Sequence, residues 1–194
     1  MIREMVVVTT SADGQPHVAP MGVTEGPDGW LLQPFRPSST LTNLERGSPL
    51  TVNAVDDVRV FAGCITGRRD WPCVALADGS SRLEAAVTHW QVSVTRREDD
   101  PVRPRFWLEV RETVVQRPFA GFNRAQAAVV EAAILASRLD RLSPTKILAE
   151  LAWLGIAIEK TAGPSEREAW GWLMDRFRAH PELAGQIDVP EPGP

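Results

Sequence analysis

Residues 33–55 read Gln-Pro-Phe-Arg-Pro-Ser-Ser-Thr-Leu-Thr-Asn-Leu-Glu-Arg-Gly-Ser-Pro-Leu-Thr-Val-Asn-Ala-Val. A strand over Trp30 to Phe35 runs into Arg36, then into three consecutive hydroxyls at Ser38, Ser39 and Thr40, and then into a short helix that Gly47 ends. The next strand is Leu50 to Val55, with Asn53 inside it. Two uses suit the hydroxyl turn. One is an ordinary helix cap, the commoner use of these residue types. The other is an anion site, in which unpaired N–H groups and hydroxyls donate to a phosphate and Arg36 supplies the counter-charge.

Working outward, Met5 to Thr10 and His17 to Thr24 are two β-type runs, and Asp13-Gly14 between them predicts a hairpin. Gly22 and Pro20 interrupt the second run, since proline cannot donate to a ladder and glycine leaves the backbone open to close approach. Past Asp56 the pattern predicts a short helix and a loop to Pro72. Then Ala86, Thr88, Trp90, Val92 and Val94 alternate with Val87, His89, Gln91 and Ser93, and Phe106, Leu108 and Val110 alternate with Trp107, Glu109 and Arg111. These are half-buried antiparallel strands.

After Pro118 the period changes from two to 3.6. Asn123 caps a helix whose stripe is Ala127, Val130 and Ile134. Ser143-Pro144 opens a second, striped by Ile147, Leu151, Leu154 and Ile158. Ser165 to Glu168 reads as a capping box for a third, faced by Trp170, Leu173, Met174 and Phe177. The expected fold is α+β, mainly β: a barrel of about six antiparallel strands over about 1–118 and three helices over about 119–186. Both are read as one domain, 1–186, with a disordered tail over 187–194.

Composition narrows function by exclusion. A net charge of −4 gives no overall attraction to nucleic acid or anionic lipid. The two cysteines, Cys64 and Cys73, lack metal-ligand spacing, and no metal site is expected. The N-terminus is a strand pattern rather than a leader, and no apolar run is long enough to span a bilayer, so a cytoplasmic protein is expected. Hydrolase and nucleoside-triphosphatase signatures are absent from the sequence.

Pro-Ser-Ser-Thr-Leu-Thr-Asn-Leu followed by Leu-Thr-Val-Asn-Ala-Val resembles the phosphate-binding segment of the flavin-reductase-like FMN-binding split barrels. Gly14-Gln-Pro-His-Val-Ala-Pro-Met-Gly-Val23 and Pro118-Phe-Ala-Gly-Phe-Asn-Arg-Ala125 resemble one branch of them, the "domain of unknown function 447" group. The resemblance covers about residues 1–160. It implies FMN as cofactor, with Arg36, Ser38, Ser39, Thr40 and Asn43 at the phosphate, Pro20, Met21, Gly22 and Val23 along the ring, and Asn53 at its polar edge. Asn53 has a second reading, pinning a neighbouring loop. Asn123 and Arg124 have two as well, a cap with a solvated arginine or a contact with flavin or substrate. The resemblance further implies a homodimer with flavin near its interface, and a flavin-dependent oxidoreductase taking electrons from reduced nicotinamide to a small acceptor. The alternative is a non-catalytic module for flavin or a related ring such as a deazaflavin or pterin. One departure stands out: Leu41 and Thr42 occupy positions where relatives often carry a basic residue, leaving Arg36 as the phosphate's cation.

Overall fold

The computed structural model describes residues 1–187, which form two compact units. The expected disordered tail lies, from Asp188 onward, outside the described residues. The first unit comprises Met1–Asp56 and Arg69–Phe119, the second Asp57–Arg68 and the chain from Ala120. The division near Phe119 falls where the hydrophobic period changes; the segment 57–68, read in the sequence as part of the barrel half, groups with the helices.

The first unit contains β1 (Ile2–Thr10), β2 (Pro16–Gly26), β3 (Gly29–Leu32), α1 (Ser39–Glu45), β4 (Leu50–Val55), β5 (Cys73–Ala75), β6 (Ser81–Leu83), β7 (Ala86–Glu98) and β8 (Arg105–Val115). Six of these strands close a barrel in the order β1-β2-β3-β8-β7-β4, and β5-β6 is a separate two-stranded hairpin. Alternation decides the faces. Met5, Val7, Val23, Leu32, Leu50, Val52, Val92, Phe106 and Leu108 fill the interior, joined by Leu41 and Leu44 from α1. Trp30 and Trp90 pack against this core and meet edge to face, ring centroids 5.2 Å apart. Val6 and Val8, of opposite parity, are also fully buried, because the β5-β6 hairpin lies over the outer side of β1, β4 and β7.

Strand ends differ from the sequence pattern for identifiable reasons. β1 begins at Ile2 because ladder pairing continues to Thr24 and an Arg3–Glu25 ion pair of 2.9 Å secures the end. β3 stops at Leu32 rather than Phe35: Pro34 has no N–H, and the Gln33 carbonyl accepts from the Arg103 guanidinium at 2.9 Å. Gly29, at φ +100, brings the β2-β3 turn so close to β8 that a Cβ there would sit 2.7 Å from the Leu108 carbonyl oxygen.

The second unit contains α2 (Arg59–Ile65), α3 (Arg124–Ala136), a 3-10 turn (Leu139–Arg141), α4 (Pro144–Thr161) and α5 (Pro164–Arg178). Asn123 caps α3 and Ser143 caps α4, as the sequence predicts. The α3 stripe is corrected: Ala127 is exposed and Val130 and Ile134 only half-buried, while Ala125, Ala128, Val129, Ala132, Ala133 and Ala136 are buried. Small residues let α3 approach α4 and α5 closely, and a pattern built on large side chains misses an alanine face. The α5 cap is corrected too. Glu166, not Glu168, folds back to accept from the Gly163 N–H at 3.0 Å, two residues earlier than Ser165 implied. Glu168 instead joins Asp57 around the Arg59 guanidinium, which raises the Arg59 pKa further. Trp170, Leu173, Met174 and Phe177 form the buried face of α5 as expected.

Candidate functional site

α1 is seven residues long and packs against β1 and β2. Ser38 caps it, its Oγ accepting from the Leu41 N–H at 3.2 Å, and Gly47 follows at φ +76. Among the described residues the Ser39 and Thr40 hydroxyls have no hydrogen-bond partner, although Thr40 is only 3% exposed. The first-turn N–H groups of Ser39 and Thr40 lie beyond the reach of helical pairing. Donors without protein partners thus collect at one place.

β2 supplies a second open feature. Its residues Pro16–Thr24 pair with the whole of β1, Ile2↔Thr24 to Thr10↔Pro16, but β3 covers only Val23–Gly26. The edge of Ala19–Gly22 that faces away from β1 has no strand partner among the described residues. Of the predicted ring contacts, Pro20, Met21 and Gly22 lie on this edge. Val23 does not: it is laddered on both sides and its side chain is 1% exposed in the core. Gly22 has a structural reason as well, since a Cβ there would meet Ile2 Cγ2 at 3.1 Å.

Four other predicted contacts are committed elsewhere. Arg36 turns to the far end of α1, where its guanidinium meets Glu45 at 3.3 Å and Asp99 at 3.0 Å, with Arg97 bound to the same Glu45 at 2.6 Å. Asn43, buried, donates to Thr9 Oγ1 at 2.9 Å and ties α1 to β1. Asn53, fully buried, donates to the Val6 carbonyl at 3.1 Å and to Thr51 Oγ1 at 3.0 Å, and accepts from the Leu83 N–H at 3.0 Å. Its amide is spent holding the β5-β6 hairpin, the loop-pinning alternative. In the second unit, Asn123 accepts from the N–H groups of Ala125 and Gln126 and donates to the Thr161 carbonyl, the helix-cap arrangement. Arg124 beside it is exposed.

Two residues outside the predicted set bear on β2, one within it and one beside it. His17, opposite Thr9 across the β1-β2 ladder, is half-buried, and burial followed by the charge of Arg69 lowers its pKa. Neither side chain makes a hydrogen bond or ion pair among the described residues. Arg69 sits in a Gly-Arg-Arg-Asp turn that reads as solvated loop, so no sequence signal distinguishes it. Among the described residues no group of three His, Cys, Asp or Glu side chains is placed to hold a metal ion, and no helix is long and apolar enough to cross a membrane.

Family models match both halves: "Protein of unknown function (DUF447) N-terminal domain" over residues 3–117 and "Protein of unknown function (DUF447)" over 123–175. The chain belongs to the DUF447 family. Curated proteins contain no match to this DUF447 chain. Among solved structures it is similar to an FMN-bound DUF447 protein from Methanosarcina mazei, with TM-score 0.77 and 19% identity over 90% of this chain and 94% of that one. More distant similarities include an FMN-binding protein from Thermus thermophilus with bound 1-cyclohex-2-enone, at TM-score 0.51 and 11% identity over 60% of this chain and 72% of that one. Another is the styrene monooxygenase flavin reductase from Pseudomonas putida S12, at TM-score 0.50 and 12% identity over 61% and 83%. These likenesses bear out the split-barrel fold expected of the DUF447 sequence.

Proposed function

We propose that this DUF447 chain binds FMN and works as a flavin-dependent oxidoreductase, taking electrons from a reduced nicotinamide and passing them to a small acceptor. The observation that carries the proposal is the open edge of β2 beside the unpartnered donors of α1, in a fold shared along nine-tenths of this chain with the FMN-bound relative from Methanosarcina mazei.

The donor set fits the cofactor. Ser38, Ser39 and Thr40 would hold the phosphate through hydroxyls and N–H groups, and the backbone of Ala19–Gly22 would hold the polar side of the ring. Met21, partly buried against the barrel core, gives that strand an apolar side. With Arg36 engaged by Glu45 and Asp99, Arg69 is a cation whose side chain has no partner among the described residues and whose charge reaches His17 on β2. When bound, flavin supplies the hydride and electron transfer itself, so the chain needs no nucleophile or metal; its residues bind and orient.

An absorption spectrum of purified protein, before and after FMN is added and free ligand removed, tests the binding step. Twin flavin bands that track with protein support it, and no retention at micromolar FMN counts against it. Bleaching of bound flavin within seconds of NADH or NADPH supports the reductase step; flavin that stays oxidised with every donor points to the carrier alternative. The same reading includes a homodimer working in the cytoplasm. Val94 and Val110 on β7 and β8, and Trp153 and Ile156 on α4, are exposed apolar side chains that such an assembly would cover. Sedimentation equilibrium tests the dimer; a monomer at micromolar concentration would refute it.

A further inference from the structure

The β5-β6 hairpin covers a titratable side chain that the flavin proposal does not use. His89 on β7 stands opposite Asn53 on β4 and Val114 on β8, all on the barrel's outer face. It is 2% exposed. Its Nδ1 lies 3.3 Å from the Gln116 side-chain nitrogen, and its Nε2 is buried with no hydrogen-bond partner among the described residues. A neutral imidazole tolerates one unpaired nitrogen. An imidazolium carries N–H on both nitrogens and a charge, and burying it unpaired is far less favourable.

The cover itself is slight. β5 and β6 pair through three residue pairs, Cys73↔Leu83 to Ala75↔Ser81, and a ribbon that short has no independent stability. It is held to the barrel by Leu83 N–H to Asn53 Oδ1 at 3.0 Å, by Thr51 Oγ1 to the Ser81 carbonyl at 2.7 Å, and by the buried Leu83 side chain. Asn53, the anchor, is the cross-strand neighbour of His89.

Charged groups reach His89 from three directions. Arg82 on β6 disfavours its protonation, while Glu112 on β8 and Asp78 in the hairpin turn favour it. Both carboxylates are already engaged: Asp78 accepts from the Ser80 N–H and hydroxyl at 3.0 and 2.6 Å, and Glu112 accepts from the Gln91 amide at 2.5 Å. Burial, the largest influence, and Arg82 prevail, so the His89 pKa is held below its ordinary value.

We propose that His89 is an acid-sensing latch: while it is neutral the hairpin closes over β1, β4 and β7, and its protonation opens the hairpin so that water can solvate the imidazolium. Val6 and Pro20 lie in the same row as Asn53 and His89, so opening uncovers the back of the β1-β2 pair. The latch acts whether or not flavin binds.

The sign follows from linkage. In the open state His89 titrates near the ordinary value of about 6.5, and in the closed state below it. The open state therefore binds more protons, and the opening constant rises as pH falls through about 6.5, by up to about tenfold one unit lower. Amide hydrogen exchange on the full chain at about pH 7.5 and 5.5, expressed as protection factors, reads this directly. Protection at Leu83 and Glu84 is expected to drop by up to about tenfold while Val52 holds, and His89→Gln should abolish the drop. An equal drop at Val52, or the same drop in His89→Gln, overturns the latch. If that variant does not fold, an NMR titration of the wild-type ring decides. An apparent pKa below the ordinary value, accompanied by loss of Leu83 protection, upholds the proposal; titration at or above the ordinary value overturns it.

Discussion

Asn53 Oδ1 accepts the Leu83 N–H at 3.0 Å, joining a barrel strand to the hairpin outside it through a side chain with no exposure to water. Removing that amide leaves the Leu83 N–H without its acceptor in a buried setting. Asn53→Ala is therefore expected to lower unfolding free energy by about 2–4 kcal/mol, measured by urea denaturation, while flavin affinity of the folded protein stays within about twofold. Unchanged stability with lost flavin affinity would return Asn53 to the ring's polar edge.

Thr40 presents the reverse case, a buried residue whose hydroxyl has no partner among the described residues. Thr40→Val keeps the shape and removes the donor. FMN affinity should fall about tenfold by fluorescence titration, with unfolding free energy within about 1 kcal/mol of wild type. Equal FMN affinity in the two proteins would exclude the hydroxyl from the phosphate site.

The two arginines separate by their partners. Arg36→Ala breaks half-exposed ion pairs with Glu45 and Asp99, so stability should change by less than about 1 kcal/mol and FMN affinity by less than about twofold. Arg69→Ala should weaken FMN by about tenfold and leave riboflavin, which lacks the phosphate, nearly unchanged. Equal weakening of both ligands would show that Arg69 does not read the phosphate.

Asn123 caps α3 and ties it to the end of α4 through the Thr161 carbonyl at 3.1 Å. Asn123→Ala should cost about 1–2 kcal/mol of stability with no change in flavin affinity, and Asn123→Asp, which keeps the cap acceptor, should recover part of it. A variant with native stability and weakened flavin binding would reverse the assignment.

Much of the architecture was legible because its causes are local. Asp13-Gly14 makes a turn wherever it lies between β-type runs, and the antiparallel barrel strands follow from alternation at Trp90, Val92, Phe106 and Leu108. The caps at Asn123 and Ser143 depend on a hydroxyl or amide reaching N–H groups two or three residues on. Nothing distant can alter that reach, so composition and spacing were enough. The α5 cap fell two residues early because two carboxylates, Glu166 and Glu168, were both within reach of such a box.

Partnership between distant residues was not legible. Asn43, Asn53 and Arg36 have the right chemistry for a ligand, and spacing places them around the right turn. Whether a polar side chain serves a ligand or the fold depends on which groups the closed barrel sets beside it: Thr9 for Asn43, Val6 and Leu83 for Asn53, Glu45 and Asp99 for Arg36. Those neighbours lie 9 to 63 positions away in the chain. A donor is spent or spare only once long-range pairing has assigned its acceptor, and so local pattern determines the elements while tertiary pairing determines which donors remain for a ligand.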